Sequence, residues 1–186
     1  MASRPKDDIL RVRGGRALSG RICIGGSKNA SLPILAACLL TSEPVTVRNL
    51  AEVTDTAVML EILATLGCQV EDGTITARQI EADVPAELAR QMRASIVLLG
   101  PLLTRTGQVR LPKPGGDMIG DRRVAQHIPG LRRMRAPIEA APRQIHRHVH
   151  RLHGATPAPP LHTLPRPATL AHDAAAPNGR TATSHP

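Results

Sequence analysis

The 186 residues include no phenylalanine, tyrosine or tryptophan. Any packed interior must therefore be aliphatic, built from Leu, Ile, Val, Ala and Met. The same absence argues against binding of single-stranded nucleic acid, which needs aromatic platforms on which bases stack. Cysteine is scarce: Cys23, Cys38 and Cys68 are odd in number and show no C-x-x-C spacing. That excludes a disulfide framework and a cysteine zinc site, and the three read as reduced thiols. Long apolar runs are missing too. "LPILAACLL" and "IVLLGPLL" are too short to cross a bilayer, and "MASRPKDDIL" has no apolar signal core. The expectation is a soluble, cytoplasmic protein with no membrane partner. Acids are outnumbered, 15 against 24 Lys and Arg, and the resulting formal charge of +9 favours anionic partners.

What is present divides the chain in two. From residue 9 to 139, short β-type runs alternate with helical patterns, which is the signature of an α/β fold. "RICIGG" and "VTVRNL" alternate apolar and polar residues as half-buried strands do, whereas "ASLPILAACLL" and "TDTAVMLEILATLG" repeat apolar positions at helical spacing. Thr54 is the expected N-cap and Gly67 the expected C′ residue of the second helix. "CQVEDGTITA" reads as a hairpin turning at Asp72-Gly73. A further helix, "ELARQMRASIVLLGPLL", is expected to kink or restart near Gly100-Pro101, and "GQVRL" is expected to form a strand.

Residues 140–186 differ in character. They hold seven of the eight histidines, many prolines and, as their one acid, Asp173. With no sustained apolar period they are expected to be disordered. Ala, Pro, Arg, His and Thr are also what a GC-rich gene yields out of frame, so a frameshifted terminus is one reading of this tail. The alternating histidines of "HRHVHRLH" lack flanking carboxylates or cysteines and read as a solvated tail, with no metal site assigned.

Residues suited to chemistry lie before that boundary. "GGSKNASLP" places glycines, Lys28 and Asn29 between a strand and a helix, where free N–H groups and an ammonium suit an anion. It is neither a Walker A loop nor G-x-G-x-x-G, and an ordinary strand-to-helix turn would look similar. "QMRASIVLLGPLL" opens an apolar helix on Arg93, either capped by a carboxylate or aimed at an anionic ligand. "LPKPGGDMIGDRR" sets Asp117 beside a Gly-Gly turn with Lys113, Arg122, Arg123 and His127 nearby, a composition that suits a mobile lid.

In this order and spacing, "GSKNASLPILAA", "MRASIVLLGPLL" and "LPKPGGDMIGDRRVAQHIPGL" resemble the UDP-N-acetylglucosamine 1-carboxyvinyltransferases, the enolpyruvyl transferases that begin peptidoglycan synthesis. The resemblance runs from Ile9 to about Glu139 and covers roughly a third of the family's usual length. It implies an incomplete lobe of repeated βαβαββ units. The opening strand is one that normally joins a second lobe. It also implies transfer of the enolpyruvyl group of phosphoenolpyruvate to the 3′-hydroxyl of UDP-N-acetylglucosamine, with no metal or organic cofactor. By the same resemblance Lys28 and Asn29 contact the two substrates, Arg93 and Arg122 hold phosphate, and Arg123, Val124 and His127 lie along the uridine nucleotide. Asp117 takes the lid position of the proton donor, commonly cysteine in the family. The family's Arg-Pro-Val-Asp reads Arg122-Arg123-Val124-Ala125 here, so one carboxylate at the uracil contact is lost. Its general-base aspartate and further phosphate-binding arginines have no counterpart, which implies that the chain alone is inactive. The alternatives are a non-catalytic remnant and a basic fragment that binds anions or nucleic acid.

Overall fold

A computed structural model describes residues 11–15, 17, 19–112 and 115, together with the backbone of 139–140 and 144–148. The first helix, α1, spans Lys28–Ala37 and continues as a 3-10 turn, Cys38–Leu40. Strand β1 (Val45–Thr46) follows, then α2 (Thr54–Thr65). Strands β2 (Gln69–Glu71) and β3 (Thr74–Thr76) form the expected hairpin. Asp72 at φ 45° and Gly73 at φ 75° make its turn, the left-handed pair that matches the twist of the flanking strands. The antiparallel sheet has the order β1-β3-β2, with Val45 opposite Ile75.

Helix α2 ends as a Schellman motif. The Cys68 N–H donates to the Leu63 carbonyl at 3.0 Å, the Gly67 N–H donates to Ala64 at 3.0 Å, and Gly67 sits at φ 95°. Its start departs from expectation. Thr54 is the first helical residue, and the N-cap is the extended Val53, which offers no side-chain bond.

The second half begins with a single turn, α3 (Ala86–Ala89), followed by a 3-10 segment, Arg93–Leu98, and α4 (Leu99–Thr106). The restart expected at Gly100-Pro101 lies earlier, at the extended Met92 and again at Leu99. Pro101 falls in the first turn of α4, a position that proline tolerates. Gly107, at φ 70°, closes α4 and leads into β4 (Gln108–Pro112). Strands β5 (Glu139–Ala140) and β6 (Gln144–His148) join it in the order β4-β6-β5, with Val109 opposite Arg147. On its other side β4 takes a parallel bridge to Asp83, tied by Arg110 to the Asp83 carboxylate at 3.0 Å.

One expectation needs correction. "RICIGG" finds no strand partner among the described residues; Ile22 and Ile24 are 87% and 89% exposed. Alternation supplies a face, but a strand also needs an edge to bond. Strands β5 and β6 lie at and just beyond the compositional boundary at 139/140. Ladder bonds are made by the backbone, so the open edge of β4 can pair a segment that has little apolar periodicity. The other residues of 140–186 lie outside the described residues.

The core is aliphatic, as the composition requires. Leu35, Leu39, Met59, Ile62, Leu63, Leu66, Leu98, Leu99 and Leu102 are fully buried among α1, α2 and α4. Cys38 and Cys68 lie in the same core, whereas Cys23 is exposed. Burial pushes the Cys68 thiol up to about 11 from 9.0, the neighbouring Cys38 adds to the rise, and Arg105 offsets part of it. Below pH 9 the thiol is protonated folded or unfolded. Between pH 9 and 11 the unfolded thiol ionises while the folded one does not, so stability falls with rising pH across that window. The expected loss is about 1–2 kcal/mol, half or more of the two-unit linkage value, because Cys68 is not wholly shielded. Urea denaturation at pH 8 and pH 11 checks it: Cys68→Ala should reduce the pH dependence, Cys38, whose thiol burial also pushes up, accounting for part of the rest, and an unchanged dependence contradicts the assignment.

Candidate functional site

The lysine loop is shaped by what it grips. Gly26 packs directly on the turn Asn49–Ala51, where a Cβ would meet the Asn49 carbonyl and the Ala51 nitrogen. Five residues on, the buried Ser31 Oγ accepts the Ala51 N–H at 3.1 Å. Both ends of "GGSKNAS" therefore clasp one turn, and Asn49 meets its geometry at φ 55°, a conformation asparagine tolerates. Between the two contacts, Lys28 and Asn29 open α1 and are exposed. Pro33 inside α1 has no N–H, so the Asn29 carbonyl lacks its i+4 helical donor.

Lys28 is paired. Its Nζ lies 2.7 Å from Asp55 Oδ2, in the first turn of α2, with the two side chains 50% and 27% exposed. Sequence reasoning missed Asp55. Its one local signal was an acid in a helix's first turn, which ordinarily serves the helix dipole. Beside it, Leu50, Ala51, Val53, Thr54, Thr56 and Leu60 line an open groove of about 600 Å³.

Arg93 is placed by its neighbours. Met92 is buried as an anchor. The Ser95 hydroxyl turns back to the Ala89 and Met92 carbonyls at 3.1 and 3.0 Å, so the 3-10 segment begins at a fixed point. Arg93 itself is half-buried and already engaged with the protein. Gly115, from the third motif, donates its N–H to the Ala89 carbonyl at 3.2 Å, and its Cα approaches the Arg90 backbone so closely that only glycine fits. The 3-10 segment in turn packs against α1. The three motifs are thus linked: α1 meets the Arg93 segment, and Gly115 meets the turn before it. Lys113, Asp117, Arg122, Arg123, Val124 and His127 lie outside the described residues.

Among the described residues no three His, Cys, Asp or Glu are grouped to hold a metal, and no helix is long and apolar enough to cross a membrane.

This arrangement of short antiparallel sheets and a core of helices is shared with enolpyruvyl transferases. The enolpyruvyl transferase NikO from Streptomyces tendae is similar with a TM-score of 0.73 at 25% identity, over 93% of this chain and 42% of that one. EPSP synthase from Acinetobacter baumannii shares the fold with a TM-score of 0.70 at 16% identity, over 90% of this chain and 40% of that one. In sequence, the family model for EPSP synthase (3-phosphoshikimate 1-carboxyvinyltransferase) matches residues 12–155, and the chain belongs to that family.

Within it, two relatives named UDP-N-acetylglucosamine 1-carboxyvinyltransferase stand much nearer than the EPSP synthase above. That of Methylacidiphilum infernorum is 44% identical over 149 residues, 78% of this chain and 35% of the relative. That of Akkermansia muciniphila is 46% identical over 134 residues, 70% of this chain and 32% of the relative. The chain spans about a third of the length of these curated relatives. The family match, like β6, passes the boundary drawn at 139 from composition.

Proposed function

We propose that the chain carries the phosphoenolpyruvate-facing part of a UDP-N-acetylglucosamine 1-carboxyvinyltransferase, a cytoplasmic enzyme of cell-wall biogenesis, and that alone it does not turn over. The observation that supports this most is the chain of contacts linking the three motifs: α1, which Lys28 opens, packs against the 3-10 segment that Arg93 opens, and Gly115 bonds to Ala89 just before it. Two cationic side chains on helix starts, with a glycine turn alongside, suit a trianionic phosphate ester.

In this reading Lys28 and Arg93 hold the phosphate, Asn29 meets both substrates, and Asp117 delivers a proton from the lid. Arg122 reaches the phosphate cluster from the same loop, and Arg123, Val124 and His127 follow the uridine nucleotide. The 3′-hydroxyl oxygen of UDP-N-acetylglucosamine bonds to C2 of phosphoenolpyruvate, its proton passes to a base, and C3 gains a proton from the donor. Loss of a C3 proton and cleavage of the C2–O bond to phosphate then give the enol ether and inorganic phosphate. The transferase carries this out by positioning and by positive charge on the leaving group. The chain spans about a third of its curated relatives, and in this reading the base and the opposing wall belong to the part of the family that it does not span.

The expected result for the purified chain is therefore binding without chemistry. Phosphoenolpyruvate should perturb the amides of Lys28, Asn29 and Arg93 in a nuclear magnetic resonance titration. Phosphate release with both substrates should stay at the no-protein background. Perturbation confined to other surfaces would sink the binding assignment, and turnover by a homogeneous preparation would sink the incompleteness.

A further inference from the structure

We propose that Asp55 is a positioning residue for the Lys28 ammonium, fixing it at the mouth of α1 so that its remaining N–H groups face the incoming phosphate. The proposal rests on the reading of Lys28 given above and extends it to a residue outside all three motifs.

A free lysine is a hydrated point charge on four rotatable carbons, and immobilising it on binding costs affinity. Here that freedom is already removed, because the Nζ sits 2.7 Å from Asp55 Oδ2. Asp55 is a good anchor. It stands in the first turn of the twelve-residue α2, whose Val58, Met59, Ile62 and Leu63 are buried, and α2 packs against α1. The two ends of the ion pair thus belong to helices locked to each other through the core.

An ammonium has three donors and one is spent on Asp55, which leaves two. The Lys28 side chain keeps half its surface open, so those two are accessible. Stability alone gives little reason for the pair, since exposed ion pairs contribute next to nothing. A fixed cation beside the start of a helix has a use in anion capture. The carboxylate also offsets the lysine's charge, so the geometry trades some attraction for preorganisation.

The test uses the full chain. It contains three lysines, Lys6, Lys28 and Lys113, so side-chain ammonium spectra of a ¹⁵N-labelled sample are simple, and Lys28→Arg assigns the signal. The Lys28 ammonium should exchange with water several-fold more slowly in the unaltered chain than in Asp55→Asn. Phosphoenolpyruvate should bind roughly three- to tenfold more weakly to Asp55→Asn, and Asp55→Glu should recover part of the loss. With Lys28 replaced by Ala, the further change Asp55→Asn should leave affinity unchanged or improve it, because only a repelling charge is then removed. A merely structural Asp55 would weaken binding in both backgrounds.

Equal ammonium exchange in the unaltered chain and Asp55→Asn overturns the proposal while leaving the enolpyruvyl reading intact, as does tighter binding by Asp55→Asn with Lys28 in place. A protected ammonium that does not respond to phosphoenolpyruvate overturns both the substrate role of the pair and the reading it rests on. Should Asp55→Asn unfold the chain, Asp55→Glu alone decides: a displaced carboxylate must change the Lys28 exchange rate, and no change refutes the anchor.

Discussion

Replacing Arg105 by methionine is expected to destabilise the chain by about 3 kcal/mol, the sum of two charge-assisted hydrogen bonds discounted for partial exposure. The guanidinium reaches out of the last turn of α4 to the Leu39 carbonyl at 2.9 Å and the Ala77 carbonyl at 2.9 Å, with a longer approach of 3.5 Å to Arg78. Each acceptor stands where the chain leaves a regular element: Leu39 in the 3-10 turn after α1, and Ala77 just past β3. Carbonyls there have no ladder or helical donor, so removing the arginine strands them. The cation also sits at a helix C-terminus, where positive charge is favoured. Methionine preserves length and helix propensity, which isolates the polar loss. Lysine should recover less than half, since one ammonium cannot fork to two carbonyls. Urea midpoints at constant slope measure the change. A loss under about 1 kcal/mol would show that water replaces the guanidinium without penalty.

The features legible in the sequence were those fixed by neighbouring residues. Asp72-Gly73 dictates its own turn, and Gly67 ends α2 because its left-handed φ is needed locally. Features set at a distance were not legible. Ile22 and Ile24 alternate as a strand does, but pairing depends on an edge that the described residues do not offer. Thr54 has the chemistry of an N-cap, yet it is already helical and the extended Val53 takes the position. β6 has little apolar periodicity of its own, and its ladder partner β4 lies more than thirty residues away in sequence. For the candidate site, motif chemistry singles out Lys28, Asn29 and Arg93, and the structure adds the ion pair of Lys28 with Asp55. Asp55 escaped because its partner is far away in sequence and close only once α1 and α2 pack.

The second large effect is expected at Gly26, where adding one methyl should cost about 2–3 kcal/mol, the penalty of overpacking a rigid contact. A Cβ there would overlap the Asn49 carbonyl and stand 2.7 Å from the Ala51 nitrogen and 2.8 Å from the Leu50 carbonyl carbon. These neighbours are backbone, so no rotamer change relieves the overlap, and the turn itself must move. It cannot move freely. Asn49 already occupies the left-handed region, and the Ala51 N–H is held by the buried Ser31 Oγ at 3.1 Å. Shifting the turn therefore breaks a buried hydrogen bond or pushes Gly26 outward, and Lys28 two residues later moves with it. Either outcome lengthens the 2.7 Å approach of Lys28 to Asp55, which lies just beyond the same turn. Gly26→Ala should thus lose stability and also weaken the response of Lys28 to phosphoenolpyruvate. Gly25→Ala is the control: nothing lies within 4 Å of its Cβ position, and the expected change is within about 0.5 kcal/mol. Equal stability of the two variants would mean that the clasp on Asn49–Ala51 is loose, and the placement of the lysine loop would need another cause.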